Sequence, residues 1–423
     1  MATTTDWRQS PELARFGGHR QAVESDAIEG VRPALVLEPA EPAQVAAALA
    51  WASRERLQTV IRGRGSKLAW GRTPARVDVV LSTARLVQRV EHRHGDLTVT
   101  VDAGMTLADL NGRLAGQRQW LPLETPFANA TIGGVIAANE AGPLRHRYGT
   151  PRDLLIGITL ALTDGTLVKS GGHVVKNVAG YDLAKLMSGS FGTLAAIVDA
   201  TFKLLPVPPA IRTLVAQYQD PMALARDAAQ LAASQLEPVA LDARVLLGLS
   251  ASGPRHELAV RFATSPEAAR DQIAGARAVL SEPAEEKAGD ADDAWWSEQV
   301  RRPWTSAGST VRLSWMPAAL PQVLELVAEI QRSTGGTIEL TGRTAVGAGF
   351  LRIDADDARV ADAIATMRAR PGVVSHVVVL RHGGALKRSV DVWGEASSAA
   401  RVQQSLKNAF DPAAILNAGR GPV

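Results

Sequence analysis

In the first half of the chain apolar residues come in short runs between prolines, glycines and charged turns, the pattern of brief strands and helices sharing one core. Ala34–Leu37 reads as a strand between prolines, followed by an alanine-rich helix over Pro42–Arg54 and a strand over Gln58–Ile61, together a βαβ unit. Val77–Leu81 and Leu86–Glu91 add strands. A second βαβ unit is expected from the strand Leu97–Val101 and a helix that opens at Thr106-x-x-Asp109, a capping-box pattern, and ends near Gly116. Leu155–Leu162 is a strand closed by the hairpin turn Thr163-Asp164-Gly165, and Leu194–Leu205 a further strand. Pro206, Pro208 and Pro209 then break the chain and mark a domain boundary.

Beyond the prolines the pattern runs twice through the same series. Arg212–Tyr218, Met222–Ser234, Ala240–Leu247, Glu257–Phe262 and Pro266–Leu280 read as strand, helix, two strands and helix. Thr310–Trp315, Leu320–Arg332, Thr337–Leu340, Phe350–Ile353, Asp357–Arg368 and Val373–Leu380 repeat it with a final strand. Split βαβ units of this kind build an antiparallel sheet backed by helices. Between them Ser281–Asp293 is acidic and reads as a loop, with Trp295-Trp296 and Trp304 flanking a basic turn. Ala399–Phe410 is a last helix. The expected organisation is an N-terminal segment over 1–32, a first domain over 33–208, an antiparallel-sheet domain over 209–395, and a C-terminal helix and tail over 396–423 returning to the first domain.

A length of 423 residues favours two domains over one. Lys and Arg number 46 against 43 Asp and Glu, and no basic run is interleaved with aromatics, so no nucleic-acid partner is expected. The chain has no cysteine, which removes disulfides, thiolate catalysis and iron–sulfur ligation from it. The amino terminus has no signal-peptide pattern and no apolar run approaches a membrane span, so the expected location is cytoplasmic, with membrane contact only through partners. His92 and His94 have no third ligand nearby and read as a solvated hairpin; no metal site is expected.

Candidate chemistry lies in two glycine-rich stretches. Arg62-Gly63-Arg64-Gly65-Ser66-Lys67 follows a strand, and successive backbone N–H groups in such a turn form a nest for anionic oxygens, supported by the cations. The second stretch runs from Thr131 to Leu194, where glycines punctuate short apolar runs beside Thr131, Asn139, Asn177, Tyr181, Asp182, Ser190 and Thr193. Neither is a Walker loop, and no GxGxxG opens a helix after a strand.

The basic glycine loop, TIGG, GPLRHRYGTPRD, KNVAGYDL and GSFGTL together resemble the flavin domain of the vanillyl-alcohol oxidase and p-cresol methylhydroxylase superfamily. Within it, VVKNVAGYDLAKLMSGSFGTL and the ending Phe410-Asp411-Pro412 with Leu416-Asn417-Ala418-Gly419-Arg420 resemble the family of glycolate oxidase E subunits. The likeness is good over about 33 to 205 and over the last dozen residues, and loose between. It implies an α+β protein: a two-subdomain FAD-binding domain of the p-cresol methylhydroxylase type, plus a second domain with an antiparallel sheet backed by helices.

By the resemblance the cofactor is FAD. The nest of Gly63 to Ser66, with Arg62 and Arg64, and the Thr131-Ile132-Gly133-Gly134 turn would hold the pyrophosphate, a helix starting at Gly133 presenting free amides. Gly180, Gly189 and Gly192 would let backbone pass close to the ring, while Asn177, Tyr181 and Asp182 offer hydrogen bonds to its polar edge. Ile197 would lie near the adenine. Arg145, Tyr148, Arg152 and Asp153 would lie near the phosphates or the slot wall, unless Arg152 and Asp153 merely pair to tie down a loop. Pro126, Asn139, Gly142 and Asn417 complete the expected set. Family members with covalent flavin often carry histidine where Ser66 stands, so dissociable FAD is expected.

Related 2-hydroxy acid dehydrogenases carry an HxGDGNxH metal motif that this chain lacks. His173, His376 and His382 are the histidines in plausible places, and no catalytic residue is assigned. The implied function is the FAD-binding subunit of a glycolate oxidase complex, acting on a small 2-hydroxy acid together with a D-type flavin subunit and an F-type iron–sulfur subunit. The Trp295–Trp304 segment is a candidate for part of the partner surface. A stand-alone FAD-dependent dehydrogenase of another hydroxy acid or alcohol is the alternative. A scaffold that has lost flavin is a third reading, opposed by the intact glycines.

Overall fold

The computed structural model describes residues 6–173, 180–248, 253–382, 386–394 and 398–422. Contacts divide the chain into two compact units: Met1–Glu140, Thr150–Val207 and Ala396–Val423 form one, and Ala141–Gly149 with Pro208–Glu395 the other. The architecture is α+β, as the sequence implies.

The first unit holds two main sheets. One contains β1 (Gly18–Gln21), β2 (Leu35–Glu38), β3 (Thr59–Arg62) and β4 (Val79–Ser82) in the order β1-β2-β4-β3. The helix Pro42–Arg54 crosses from β2 to β3, and both strands run parallel to β4, which lies between them. Proline suits the first turn of that helix, and Val45, Ala48, Leu49 and Ala52 form its buried stripe.

The other sheet is antiparallel, built from β5 (Val90–Arg93), β6 (Thr98–Asp102), β8 (Leu155–Ala161), β9 (Leu167–Gly171) and β10 (Ala196–Lys203) in the order β5-β6-β10-β8-β9. The expected second βαβ unit is therefore absent. β6 pairs antiparallel with β5 on one side and β10 on the other, so the strand before the Thr106 helix has no parallel neighbour for a crossover to reach. The helix after β6, Leu107–Leu114, is capped by Thr106, whose hydroxyl accepts from the Asp109 amide at 3.0 Å. It leads into the two-residue β7 (Gln119–Trp120), which pairs with β11 (Leu205–Pro206).

The second unit is one sheet of eight strands: β12 (Ala210–Tyr218), β13 (Ala240–Leu247), β14 (Arg255–Thr264), β15 (Ala284–Ala288), β16 (Ser309–Ser314), β17 (Thr337–Arg343), β18 (Ala348–Asp354) and β19 (His376–Arg381). Their order is β15-β12-β14-β13-β17-β18-β16-β19, antiparallel throughout. Period-two alternation sends Leu241, Ala243 and Val245 into the helix-backed core and Asp242 and Arg244 to the opposite face. The helices Pro221–Ala233, Pro266–Val279, Leu320–Thr334 and Asp357–Arg368 supply the other side of that core.

The acidic stretch 281–293 is not a loop. Ala284–Ala288 is an edge strand, where charged side chains are tolerated because one side faces water, and Arg212 pairs with Glu286 at 2.8 Å. Asp290–Thr305 is one helix; Asp290, Asp292 and Asp293 occupy its first turn, where carboxylates complement the helix dipole. Trp295 and Trp296 lie within this helix and do not flank a turn. They are buried against Val215, Ala240 and Ala259, so they serve packing and not a partner surface.

Candidate cofactor site

A pocket with mostly apolar walls in the first unit, open to solvent, encloses about 880 Å³ of space, open solvent included. Four segments distant in sequence wall it, with Thr83 beside them: Val60–Leu68 with Trp70, Thr131–Ala138, Phe191–Ile197, and the tail at Asn417 and Arg420. Arg62, Arg64, Lys67 and Arg420 line it, and among the described residues no carboxylate does.

The loop after β3 is positioned by close approach. A Cβ on Gly63 would sit 2.2 Å from Thr131 Oγ1, so only glycine lets the loop abut the 131–138 segment. Among the described residues no acceptor takes the backbone N–H groups of Gly63, Arg64, Gly65, Ser66 or Lys67. Buried or half-buried amides left in this state are costly unless a ligand or water satisfies them. Arg64 is exposed and has no ionic partner among the described residues, whereas Arg62 bonds Asp26 Oδ1 at 3.0 Å. Arg20 also pairs with Asp26. These contacts, Arg20's first, hold the Asp26 carboxyl well below the usual carboxylate range. Lys67 is ion-paired with Glu140, which also accepts from Thr125 Oγ1, and lies over the rings of Trp70 and Phe127.

The helix Ile132–Ala138 is capped by Thr131 Oγ1, which accepts from the Gly134 amide at 3.3 Å. The Ile132 amide donates to Met105 O at 2.8 Å and the Gly133 amide to Ala103 O at 2.9 Å. The expectation of free amides at Gly133 is thus corrected: neighbouring carbonyls consume them, and Gly133 and Gly134 line the cavity as surface without side chains.

The third wall depends on Gly192, at φ +67°, where an added Cβ would lie 2.8 Å from Asn417 Nδ2 and 3.7 Å from Ile61 Cβ. The fourth is the tail. Thr59 N donates to Ile415 O at 2.8 Å and Asn417 N to Thr59 O at 2.9 Å, so residues 415–417 add to the open edge of β3. Asp411 accepts from the amides of Ile415 (3.1 Å) and Leu416 (2.8 Å) and pairs with Lys407, which also donates to Thr193 O and Leu416 O. Burial pushes the Lys407 ammonium below its ordinary value, against the pull of Asp411. Asn417 Nδ2 donates to Phe191 O, and its Oδ1 is buried with no hydrogen-bond partner among the described residues. Burial also lowers the Arg420 guanidinium, which donates to Leu68 O and Trp70 O.

Of the residues singled out from the sequence, Arg62, Gly63, Arg64, Gly65, Ser66, Thr131, Gly133, Gly134, Gly192, Ile197 and Asn417 meet at this cavity. Asn139, Arg152 and Gly189 gather at the far end of the 132–138 helix, where the Arg152 amide donates to Asn139 Oδ1 at 3.4 Å and the Gly189 amide to Ile136 O at 3.0 Å. Asp153 accepts from Thr150 N and Oγ1, a local cap. Asp182 caps the helix Leu183–Met187 and pairs with Lys185, next to Gly180 and the exposed Tyr181. Pro126 lies beside Phe127 in the loop before Thr131, and Asn177 falls outside the described residues. Gly142, Arg145 and Tyr148 belong to the second unit. Lys67, Trp70, Phe191 and Arg420 line the cavity beyond the expected set; Arg420 was detectable as the end of the LNAGR run, whereas nothing local marks Trp70.

Among the described residues no histidine belongs to a group of three or more side chains that could hold a metal ion. His173 lies 3.9 Å from Glu91, His376 is exposed beside Ser375, and His92 bonds Gln119 at 2.8 Å. Among the described residues no helix is long and apolar enough to cross a membrane.

FAD brings anionic oxygens, a planar apolar ring and hydrogen-bonding edges, and this cavity offers matching groups: the unfilled amides 63–67 beside Arg64, glycine surfaces at 133, 134 and 192, and the orphaned Asn417 Oδ1. Residues 33–171 match the FAD binding domain family. The chain is 27% identical over 369 residues to glycolate oxidase subunit GlcE of Escherichia coli, covering 85% of this chain and 91% of that protein. It is 32% identical over 211 residues to glycolate oxidase subunit GlcD of Bacillus subtilis, covering 50% of this chain and 45% of that protein. To a D-lactate dehydrogenase of Archaeoglobus fulgidus it is 33% identical over 172 residues, 41% of this chain and 39% of that protein. The chain thus spans less than half the length of these last two relatives. An alkyldihydroxyacetonephosphate synthase structure superposes with a TM-score of 0.71 at 15% identity, covering 92% of this chain and 76% of that one, a likeness of fold.

Proposed function

We propose that this chain, which carries an FAD binding domain over residues 33–171, is the FAD-binding subunit of a glycolate oxidase-type complex that oxidises a small 2-hydroxy acid with partner flavin and iron–sulfur subunits. The observation that carries this reading is the extent of the likeness to the glycolate oxidase subunit GlcE: at 85% of this chain it takes in both units. The D-lactate dehydrogenase match, at 41%, has no such reach.

Bound FAD supplies a two-electron acceptor. The chain's own part is to hold it. The amides of Gly63–Lys67 and Arg64 would bind its anionic oxygens, Asn417 Oδ1 would accept from a donor on it, and Ile61, Ala137, Phe191 and Ile197 would keep water from its apolar surface. Ser66 offers no covalent attachment of the histidine kind, so the flavin is dissociable. With no cysteine in the chain, thiolate-bound iron–sulfur clusters belong to a partner, and electrons leave this subunit through another chain.

The test is to load the purified chain with FAD and add glycolate without air, then repeat with the partner subunits present. Turnover with a physiological acceptor is expected only in the assembly. Rapid flavin bleaching with sustained turnover by the single chain would replace the subunit reading with a stand-alone dehydrogenase.

A further inference from the structure

Among the cations of the cofactor loop, Lys67 has surroundings that suit a planar ring better than a phosphate. Its side chain is 9% exposed and lines the cavity, and its ammonium lies 5.8 Å from the ring centre of Trp70 and 5.4 Å from that of Phe127. Arg64, by contrast, is exposed beside the amides 63–67 that form the anion nest. An ammonium carries three N–H donors. Among the described residues Lys67 Nζ uses one of them, to Glu140 Oε2, which leaves two unmet at the cavity. Glu140 stands behind it, off the cavity wall, with its side chain 5% exposed. It follows the C-terminal end of the helix Ile132–Ala138, where the helix dipole opposes a carboxylate. Its amide donates to Val135 O at 3.0 Å, and Thr125 Oγ1 donates to its Oε2 at 3.1 Å, so the carboxylate is fixed in place. The pair is oriented, with the cation toward the cavity and the anion away from it.

A buried ammonium with unmet donors is costly unless an acceptor completes it. We propose that Lys67 sets the reduction potential of the bound FAD: its ammonium faces the isoalloxazine ring and favours the reduced ring over the oxidised one, and Glu140 is the positioning residue that fixes and tempers it. Uptake of two electrons and one proton leaves the ring with an added negative charge, and charge near the ring is one of the means by which a protein tunes a flavin. In a site of low dielectric a nearby cation favours that charged form, and a carboxylate opposes it. Because Lys67 is the nearer of the two to the cavity, its effect outweighs that of Glu140. The proposal rests on FAD occupying this cavity and not on the choice of substrate.

The experiment measures the midpoint potential of the full FAD-loaded chain by anaerobic reduction against a reference dye, and the affinity for oxidised FAD by fluorescence titration. The variants are Lys67→Met, Glu140→Gln and the two together. Lys67→Met should lower the potential by at least about 30 mV, which for a two-electron couple is a tenfold change in the ratio of the dissociation constants of oxidised and reduced FAD. Glu140→Gln keeps the shape of the carboxylate and removes its charge, so it should raise the potential. The double variant should lie between Lys67→Met and wild type. Opposite signs are the signature, because a merely structural pair would shift both single variants the same way or neither. Shifts of the same sign, or potentials of all three variants equal to wild type, would overturn the assignment. Equal weakening of both redox forms in Lys67→Met, with the potential unmoved, would place Lys67 on the phosphates and overturn it too. If Lys67→Met fails to fold, Glu140→Gln above wild type with the double variant below it supports the proposal, and any other order refutes it. Reduction by dye uses no glycolate, so a chain that never oxidises glycolate can still bear the proposal out. Retained FAD affinity in Gly192→Val would instead remove FAD from this cavity, and the proposal with it.

Discussion

Gly192→Val tests the cofactor site at its narrowest point. Gly192 sits at φ +67°, and left-handed backbone costs an L-residue roughly 1–2 kcal/mol. A Cβ there would also meet Asn417 Nδ2 at 2.8 Å and Ile61 Cβ at 3.7 Å, and the valine methyl groups extend further toward the same wall. Overpacking of this kind costs about 1–3 kcal/mol, so the sum is about 2–5 kcal/mol. The backbone part falls on folding, whereas the packing part displaces Asn417, whose amide holds Phe191 O and whose Oδ1 lacks a partner. FAD affinity should therefore drop by at least about tenfold, read by fluorescence titration of the apoprotein. Gly30→Val separates the two parts: Gly30 has φ +83°, no described atom within 4 Å of an added Cβ, and no place on the cavity wall. It should lower the melting point and leave FAD affinity intact. Equal FAD affinity in Gly192→Val and wild type, or equal loss in both variants, would refute the reasoning.

Three further outcomes follow from the pairs around the cavity. Lys407→Met leaves Asp411 buried without its cation and frees two carbonyls, which should cost about 3 kcal/mol or more in urea unfolding and weaken FAD binding; unchanged stability would dismiss this pair as the tail's anchor. Asp26→Asn should cost about 1–3 kcal/mol at pH 7. Because the folded pKa of Asp26 is depressed, its contribution is present above the unfolded value near ~3.9 and fades as pH falls through the folded one, so the gap between wild type and variant should shrink in denaturation at about pH 3. Arg64→Ala should raise the FAD dissociation constant by no more than about fivefold, and less in high salt, since an exposed charge contributes at most about 1 kcal/mol; a larger, salt-independent loss would place Arg64 in a buried contact.

Elements with local determinants were legible. Proline at the start of Pro42–Arg54, the Thr106 cap with Asp109, and the alternation of Leu241, Asp242, Ala243 and Arg244 each fix an element within a few residues of chain. What failed was non-local. Thr98–Asp102 reads as a strand before a helix, and only its neighbours show that it belongs to an antiparallel sheet. Ser281–Asp293 reads as loop because its acids imply solvent, yet Asp292 is buried against Thr213 and Arg261, residues of strands far back in the chain. An acidic side chain carries no local mark of the partner that will bury it.

The same distinction governs the site. The glycines of the basic loop and of the Thr131–Leu194 stretch signal backbone that must pass close to something, and at Gly63 and Gly192 that something lies at the cavity: Thr131 Oγ1 in one case, Asn417 in the other. At Gly189 the same signal marks a structural contact, its amide closing the end of the 132–138 helix and a Cβ there meeting Asn139 at 3.6 Å. Glycine thus reports proximity without identifying the neighbour. The cation count misleads in a parallel way, for Arg62 and Lys67 are matched by Asp26 and Glu140, and among the described residues the loop's unmatched charge reduces to Arg64. The anion-binding capacity of this loop therefore resides mainly in its amides, which mutation of side chains cannot remove. Substitutions that close the glycine surface should injure cofactor binding more than any loss of a single basic side chain.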